Sequence, residues 1–139
     1  MRTTTELRDE ILAAARAEFA QYGLAGGRID RIARAAHASK GRLYAHFGDK
    51  ETLFRDVVAA DGAAFFRAVE LCPDAVPEFA GDMFDVAQGR PEHLRMITWA
   101  KLEGFPLHEP KVNGQGVLDR AIASLERAQA QGHVDPAWD

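Results

Sequence analysis

The stretch Arg28-Ile-Asp-Arg-Ile-Ala-Arg-Ala-Ala-His-Ala-Ser-Lys-Gly-Arg-Leu-Tyr-Ala-His-Phe-Gly-Asp-Lys50 decides the fold. Ile29, Ile32, Ala33 and Ala36 recur at i, i+3, i+4 and i+7, the spacing that gathers apolar groups on one face of a helix over about 28–36. Arg28, Arg31 and Arg34 then lie away from that face. His37-Ala38 reads as a tight turn, and Ser39 is a good N-cap for a third, short helix with Leu43 and Phe47 inward at i, i+4. Gly48-Asp49 breaks the chain and caps it again. Two short helices, a tight turn and an apolar seam are the parts of a helix-turn-helix. Its second helix must protrude far enough to enter a major groove while the first braces it.

The outward residues of that second helix are Lys40, Gly41, Arg42, Ala45 and His46, all small, polar or basic. Lys and Arg can donate to guanine O6 and N7, Gly41 lets backbone approach the bases, and the Ala45 methyl can touch a thymine methyl. Arg28, Tyr44, His46 and Lys50 are placed to reach phosphates, and the helix N-termini capped by Ser39 and Asp49 offer backbone N–H groups. On periodicity alone, a solvated basic surface fits the stretch as well as a DNA reader does.

Outward from this segment the pattern stays helical. Thr3 and Glu6 have capping-box spacing, and Leu7, Ile11, Ala15 and Phe19 form one apolar stripe ended at Gly23. A long fourth helix is predicted over about 50–71, carrying Leu53, Phe54, Val57, Val58, Phe65, Val69 and Leu71. A fifth over 75–88 groups Val76, Phe79, Ala80, Met83, Phe84 and Ala87. Pro91 opens a sixth over 91–103 whose apolar residues are Leu94, Ile97, Thr98 and Leu102 with Trp99. Residues 104–116 read as a loop. A seventh helix over 116–131 shows Val117, Ala121, Leu125 and Ala128, with Gly132 as its cap. No stretch reads as a hairpin, so the expected fold is all-α.

Charge is unevenly spread over the 139 residues, whose formal net charge is −4. Residues 26–50 hold six Lys or Arg against two acids, whereas residues 51–139 hold eight against fifteen. A basic module on an acidic body fits local contact with a polyanion and repulsion of the remainder. The single cysteine, Cys72, excludes an internal disulfide and reads as a small buried hydrophobe. The charged N-terminus and the short apolar runs predict a cytoplasmic protein with no membrane span. No catalytic or phosphate-cradling motif is present, so no enzyme activity and no cofactor are expected. His93 and His108 read as solvated, and no metal site is expected.

Ile32-Ala-Arg-Ala-Ala36 followed by Ser39-Lys-Gly-Arg-Leu-Tyr-Ala-His-Phe-Gly-Asp-Lys-Glu-Thr-Leu-Phe54 resembles the reader of TetR-type repressors, over residues 5–58. The resemblance implies that Lys40, Gly41, Arg42 and Ala45 meet bases. It implies phosphate contacts for Arg28, Ser39, Tyr44, His46 and Lys50. Two departures stand out. Gly27-Arg28 replaces the Thr or Ser that often precedes the second helix, and His37 replaces the usual turn glycine, which takes the left-handed conformation at less cost. The implied organisation is a helix-turn-helix DNA-binding domain at 1–48 and a helical ligand-sensing and dimerisation domain at 49–139. The resemblance implies two further helices, which pair into a dimer, beyond that second domain as given.

By the same resemblance the protein is a sequence-specific repressor that a small ligand releases from its operator. Candidate lining residues are Phe65, Phe66, Met83, Phe84, Met96, Trp99, Phe105 and His108, which predict a largely apolar ligand. Helically spaced aromatics and methionines also fit plain core. The implied partners are a second copy of the chain and a pseudo-palindromic double-stranded DNA operator. The alternative is a helical interaction module whose basic face meets an acidic protein.

Overall fold

The computed structural model describes residues 1–138. The elements in order are α1 (Thr4–Gly26), α2 (Ile29–Ala35), α3 (Lys40–Phe47), α4 (Lys50–Arg67), α5 (Val76–Gln88), α6 (Pro91–Leu102), β1 (Lys111–Val112), β2 (Gln115–Gly116) and α7 (Val117–Ala130). Among the described residues the fold is all-α apart from one short hairpin. Its packing divides it into two units: residues 1–60 with 91–107, and residues 61–90 with 108–138. The boundary expected from the sequence at 48/49 concerns roles, whereas this division follows contacts.

In the first unit, α1 begins at a closed capping box. The Thr3 hydroxyl accepts from the Glu6 N–H at 3.1 Å, and the Glu6 carboxylate accepts from the Thr3 N–H at 2.7 Å. Leu7, Ile11, Ala15 and Phe19 are fully buried, as their spacing predicts. Gly23 interrupts the helix (φ 72°, ψ −176°), but a further turn runs on to Gly26. The core continues through Ile32, Leu43, Leu53, Phe54 and Val57 to Met96 and Ala100 of α6. At its centre Phe54 meets Phe19 and Phe105 edge to face, each with centroids 5.1 Å apart.

Helix α6 corrects the sequence reading. Its buried residues are His93, Met96 and Ala100, whereas Leu94 and Thr98 are exposed and Leu102 is 75% exposed. The reason is polar. Arg95 and Trp99, one turn apart, both donate to the Ala20 carbonyl at 3.1 Å, and Glu103 just past the helix end accepts from the Leu24 and Ala25 amides. These anchors turn the 93/96/100 face onto α1 and the 94/98/102 stripe away from it. His93, read as solvated, is buried as a result.

In the second unit, α4 ends at Arg67 and not near 71, although Val69 beyond it is still buried. A hairpin interrupts the expected loop: Lys111 pairs with Gly116 and Val112 with Gln115, antiparallel. Asn113 (φ 53°) and Gly114 (φ 80°) form its turn, both left-handed as a type I′ turn requires. Helix α7 buries Val117, Ser124 and Ala128, while Leu118, Ile122 and Leu125 are exposed, so Leu125 is not on the buried face predicted for it. None of α5 is fully buried. Among the described residues, no helix is long and apolar enough to cross a membrane.

The rotation of α6 predicts two unequal truncations. Met96→Ala, fully buried, is expected to cost about 2–5 kcal/mol of unfolding free energy. Leu102→Ala should stay within about 0.5 kcal/mol. Denaturant titration of both variants checks this, and comparable losses would put α6 in the other rotation.

Candidate nucleic-acid interface

Helix α3 has eight residues, too few to be stable in water alone, and it is held from beneath and at both ends. Leu43 and Phe47 are buried in the core. At its N-terminus the Ser39 hydroxyl accepts from the Arg42 N–H at 3.2 Å. At its C-terminus Gly48 (φ 81°) closes the helix, its N–H donating to the Tyr44 carbonyl at 2.8 Å. The Asp49 carboxylate then caps α4 by accepting from the Thr52 N–H at 2.7 Å. That bond, first of several causes, holds Asp49 below the usual carboxylate range.

The turn into α3 adopts the strained form expected of it. His37 has φ 52°, in the left-handed region. Arg2 reaches across from the N-terminus and donates to the carbonyls of Ala36 at 2.7 Å and His37 at 2.6 Å, while also pairing with Glu10. Arg2 was not among the residues singled out from sequence; a partner 34 positions away leaves no local signal.

With Leu43 and Phe47 inward, Ser39, Lys40, Gly41, Arg42, Tyr44 and Ala45 are exposed and His46 is half-buried. Among the described residues, the side chains of Lys40, Arg42, Tyr44 and Arg28 make no hydrogen bond or ion pair. Arg34, exposed in the last turn of α2, is in the same condition.

Other cations of the segment are committed internally. Arg31 forms a forked pair with Glu18, with Nε and Nη2 at 2.9 and 2.7 Å from one carboxylate oxygen, and its guanidinium lies 4.3 Å from the Tyr22 ring centroid. This pairing pushes the Arg31 pKa up. Glu18 also accepts from the Arg28 N–H at 2.9 Å, which supplies the start of α2 with a carboxylate in place of a side-chain cap. The Lys50 ammonium, assigned to phosphate from sequence, donates to the carbonyls of Gly27 at 3.2 Å and Ala25 at 3.4 Å.

Of the eight candidate ligand-lining residues, three lie in the first unit and five in the second. In the first unit, Met96 is core, Phe105 packs on Phe54, and Trp99 donates to Ala20. In the second, Phe65 is buried against Phe66, Met83 is half-buried, Phe84 is 62% exposed and His108 is exposed. A cleft of about 750 Å³ lies within the second unit, and of the eight only Phe66 lines it. Val69, Leu71 and Phe79 add to its apolar side, and Glu70, Lys111, Arg120 and Arg127 carry charge into it.

Two family descriptions match successive parts of the chain. Residues 11–57 match the family described as "Bacterial regulatory proteins, tetR family". Residues 75–139 match "Tetracyclin repressor-like, C-terminal domain". The HTH-type transcriptional repressor SCO4008 of Streptomyces coelicolor is 34% identical over 91% of this chain and 67% of its own length. The HTH-type transcriptional repressor AcnR of Corynebacterium efficiens is 40% identical over 83% of this chain and 61% of its own. The crystal structure of SCO4942 from Streptomyces coelicolor superposes with a TM-score of 0.80 at 43% identity, covering 95% of this chain and 70% of that one. The chain thus spans about two thirds of the length of these relatives.

The lowered Asp49 pKa carries a sign. The cap contributes stability above the ordinary carboxylate pKa, about 3.9, and the contribution is lost as pH falls through the lower folded value. Asp49→Asn keeps a capping oxygen but cannot titrate. Its unfolding free energy should therefore fall less steeply between about pH 5 and pH 2 than that of the wild type. Identical slopes would show that the Asp49 bond is not made in solution.

Proposed function

The chain belongs to the tetR family of bacterial regulatory proteins and is a helix-turn-helix DNA-binding transcriptional regulator, and on that premise we propose that it represses transcription through α3. In this reading Lys40, Gly41, Arg42 and Ala45 meet base edges. Arg28, Ser39, Tyr44 and His46 meet phosphates, acting in the cytoplasm where the DNA is. The observation that supports it is the division among side chains: Leu43 and Phe47 seat the helix, and the cations above them have no internal use. Charged groups left unpaired beside a braced, protruding helix suit a polyanion.

Lys50 enters this reading differently from the other cations. Its bonds to Ala25 and Gly27 brace the approach to α2, so any phosphate contact it makes competes with that brace.

One reader offers about four free cations, which gives a salt slope near −4 at about −0.9 per phosphate neutralised. Specific binding in a genome favours doubling that. We therefore propose a two-fold pair of chains on a pseudo-palindromic site, with half-sites about one helical turn or a multiple apart. The domain roles proposed are DNA reading at 1–48 and ligand sensing and pairing at 49–139.

We also infer a releasing ligand that occupies the cleft of the second unit. Its volume lies within the usual range of about 300–1,000 Å³ for small-molecule sites. Because charged residues share the lining with Phe66, Val69, Leu71 and Phe79, the ligand that fits is amphipathic rather than purely apolar.

The DNA proposal is checked on a duplex enriched by the protein from a randomised library, with a random duplex beside it. Arg42→Ala should reduce discrimination between them by about 1–3 kcal/mol. Arg28→Ala should weaken both alike and lower the salt slope by about 0.9 per copy. Light scattering should count two chains per enriched duplex. Equal losses on both duplexes in both variants, or one chain per site, would refute the assignment.

The ligand proposal is checked by screening amphipathic acids and amines for compounds that raise the melting temperature and release the enriched duplex. Phe66→Ala should weaken the effect of such a compound while leaving duplex binding without it unchanged. A compound equally effective on wild type and Phe66→Ala acts elsewhere.

A further inference from the structure

The break at Gly23 leaves the end of α1 with backbone groups that the helix does not satisfy, and α6 supplies their partners. In an uninterrupted helix the Leu24 N–H bonds the Ala20 carbonyl. Here both ends of that bond are met by side chains of one helix and its end. The Ala20 carbonyl accepts from Arg95 Nε and Trp99 Nε1, each at 3.1 Å. The amides of Leu24 and Ala25 donate to the two oxygens of Glu103, at 2.9 and 3.1 Å. Arg95, Trp99 and Glu103 are spaced i, i+4, i+8, so they form one row facing the break.

The fit at Gly23 is close. Its φ of 72° disfavours any L side chain, and a Cβ there would stand 2.8 Å from both Glu103 Oε1 and Trp99 Cε3. The Lys50 bonds to the Ala25 and Gly27 carbonyls hold the same corner. Two residues after Gly27, α2 begins, and α3 follows it across the turn at His37.

We propose that Glu103, supported by Trp99 and Arg95, is a positioning residue for DNA reading: its carboxylate caps the last turn of α1 and thereby sets the angle at which α2 and α3 meet the groove. The proposal rests on the DNA-reading function given above. Without the carboxylate, the Leu24 and Ala25 amides have no partner across the break, and the Gly23 joint can swing. The electrostatic attraction to phosphates tolerates a swinging reader, because it is long-ranged and carries no sequence information. Base-edge contacts do not, because they require fixed register. Loss of Glu103 therefore costs discrimination before it costs general affinity.

The test uses the full chain as wild type, Glu103→Ala, Glu103→Gln and, as a control on the exposed neighbour, Leu102→Ala. Amide exchange by NMR should be about tenfold or more faster at Leu24 and Ala25 in Glu103→Ala, with interior amides of α4 unchanged. Affinity for the enriched duplex should drop about tenfold, with less than about a twofold drop on random duplex, as loss of charge-assisted bonds that fix register implies. Glu103→Gln, which keeps one acceptor oxygen, should fall between wild type and Glu103→Ala in both measurements, and Leu102→Ala should match wild type. Should Glu103→Ala fail to fold, Glu103→Gln alone decides, since partial loss of protection must come with partial loss of discrimination. Faster exchange with unchanged discrimination would make Glu103 a purely structural cap and overturn the proposal, as would unchanged exchange. A wild type that enriches no duplex sequence at all defeats the DNA reading itself, a result separable from failure of the joint.

Discussion

A recognition helix must be short enough to fit a groove and exposed on most of its circumference, and both demands deprive it of intrinsic stability. Helix α3 resolves this conflict by seating Leu43 and Phe47 in the core between a serine cap and a glycine stop, so the surface it offers is only as well defined as the core that holds those side chains. That core is a relay of aromatic contacts from Phe19 through Phe54 to Phe105, drawn from α1, α4 and the segment after α6. The reader is therefore not an independent module. Residues 91–107, far along the chain, pack in the same unit as residues 1–60.

The basic character of residues 26–50 has two different origins, and composition cannot separate them. Arg31 is neutralised by Glu18, an acid 13 positions earlier, and Lys50 serves backbone carbonyls at the end of α1. Arg28, Arg34, Lys40 and Arg42 have no such duty. Counting charges by window gives a balance of +4; counting those free to meet a phosphate requires knowing which carboxylates and carbonyls lie across the fold. Among the described residues, four of the six cations thus have no internal partner, Lys50 keeps its charge while bonded to carbonyls, and Arg31 is offset by Glu18, the two acting as a strut.

How much of this was legible in the sequence depends on the range of the interaction that decides each element. The α2–turn–α3 segment is governed by short-range rules, a 3.6-residue spacing, a serine cap and a glycine stop, and its boundaries and inward residues were readable from them. The hairpin at 111–116 was also written locally, in Asn113-Gly114, but the flanking strands are two residues each and leave no alternation to notice. The rotation of α6 was not legible. Leu94, Thr98 and Leu102 make as plausible an inner stripe as Met96 and Ala100 do, and the choice is made by Arg95, Trp99 and Glu103 finding backbone partners some 75–79 positions away. The candidate ligand residues of the first unit show a related effect: aromatic type marks burial, and there the core takes Met96 and Phe105 while the Ala20 carbonyl holds Trp99.

The histidine at the reader's turn shows how such distant partners change what a local rule permits. A left-handed non-glycine residue costs of the order of 1–3 kcal/mol and persists only where its surroundings over-determine it. Here the surroundings are the guanidinium of Arg2, which binds the carbonyls on both sides of the Ala36–His37 junction and is itself oriented by Glu10. The bonds are made with the chain turned at His37 as it is, and so favour the strained conformation. Glycine at this position lowers the strain by removing Cβ; this chain keeps Cβ and adds a cation from the other end of α1. The residues before α1 thereby become part of the reader's geometry. The turn between α2 and α3, the entry to α2 and the end of α1 are each bonded to a side chain outside both helices, those of Arg2, Glu18 and Glu103.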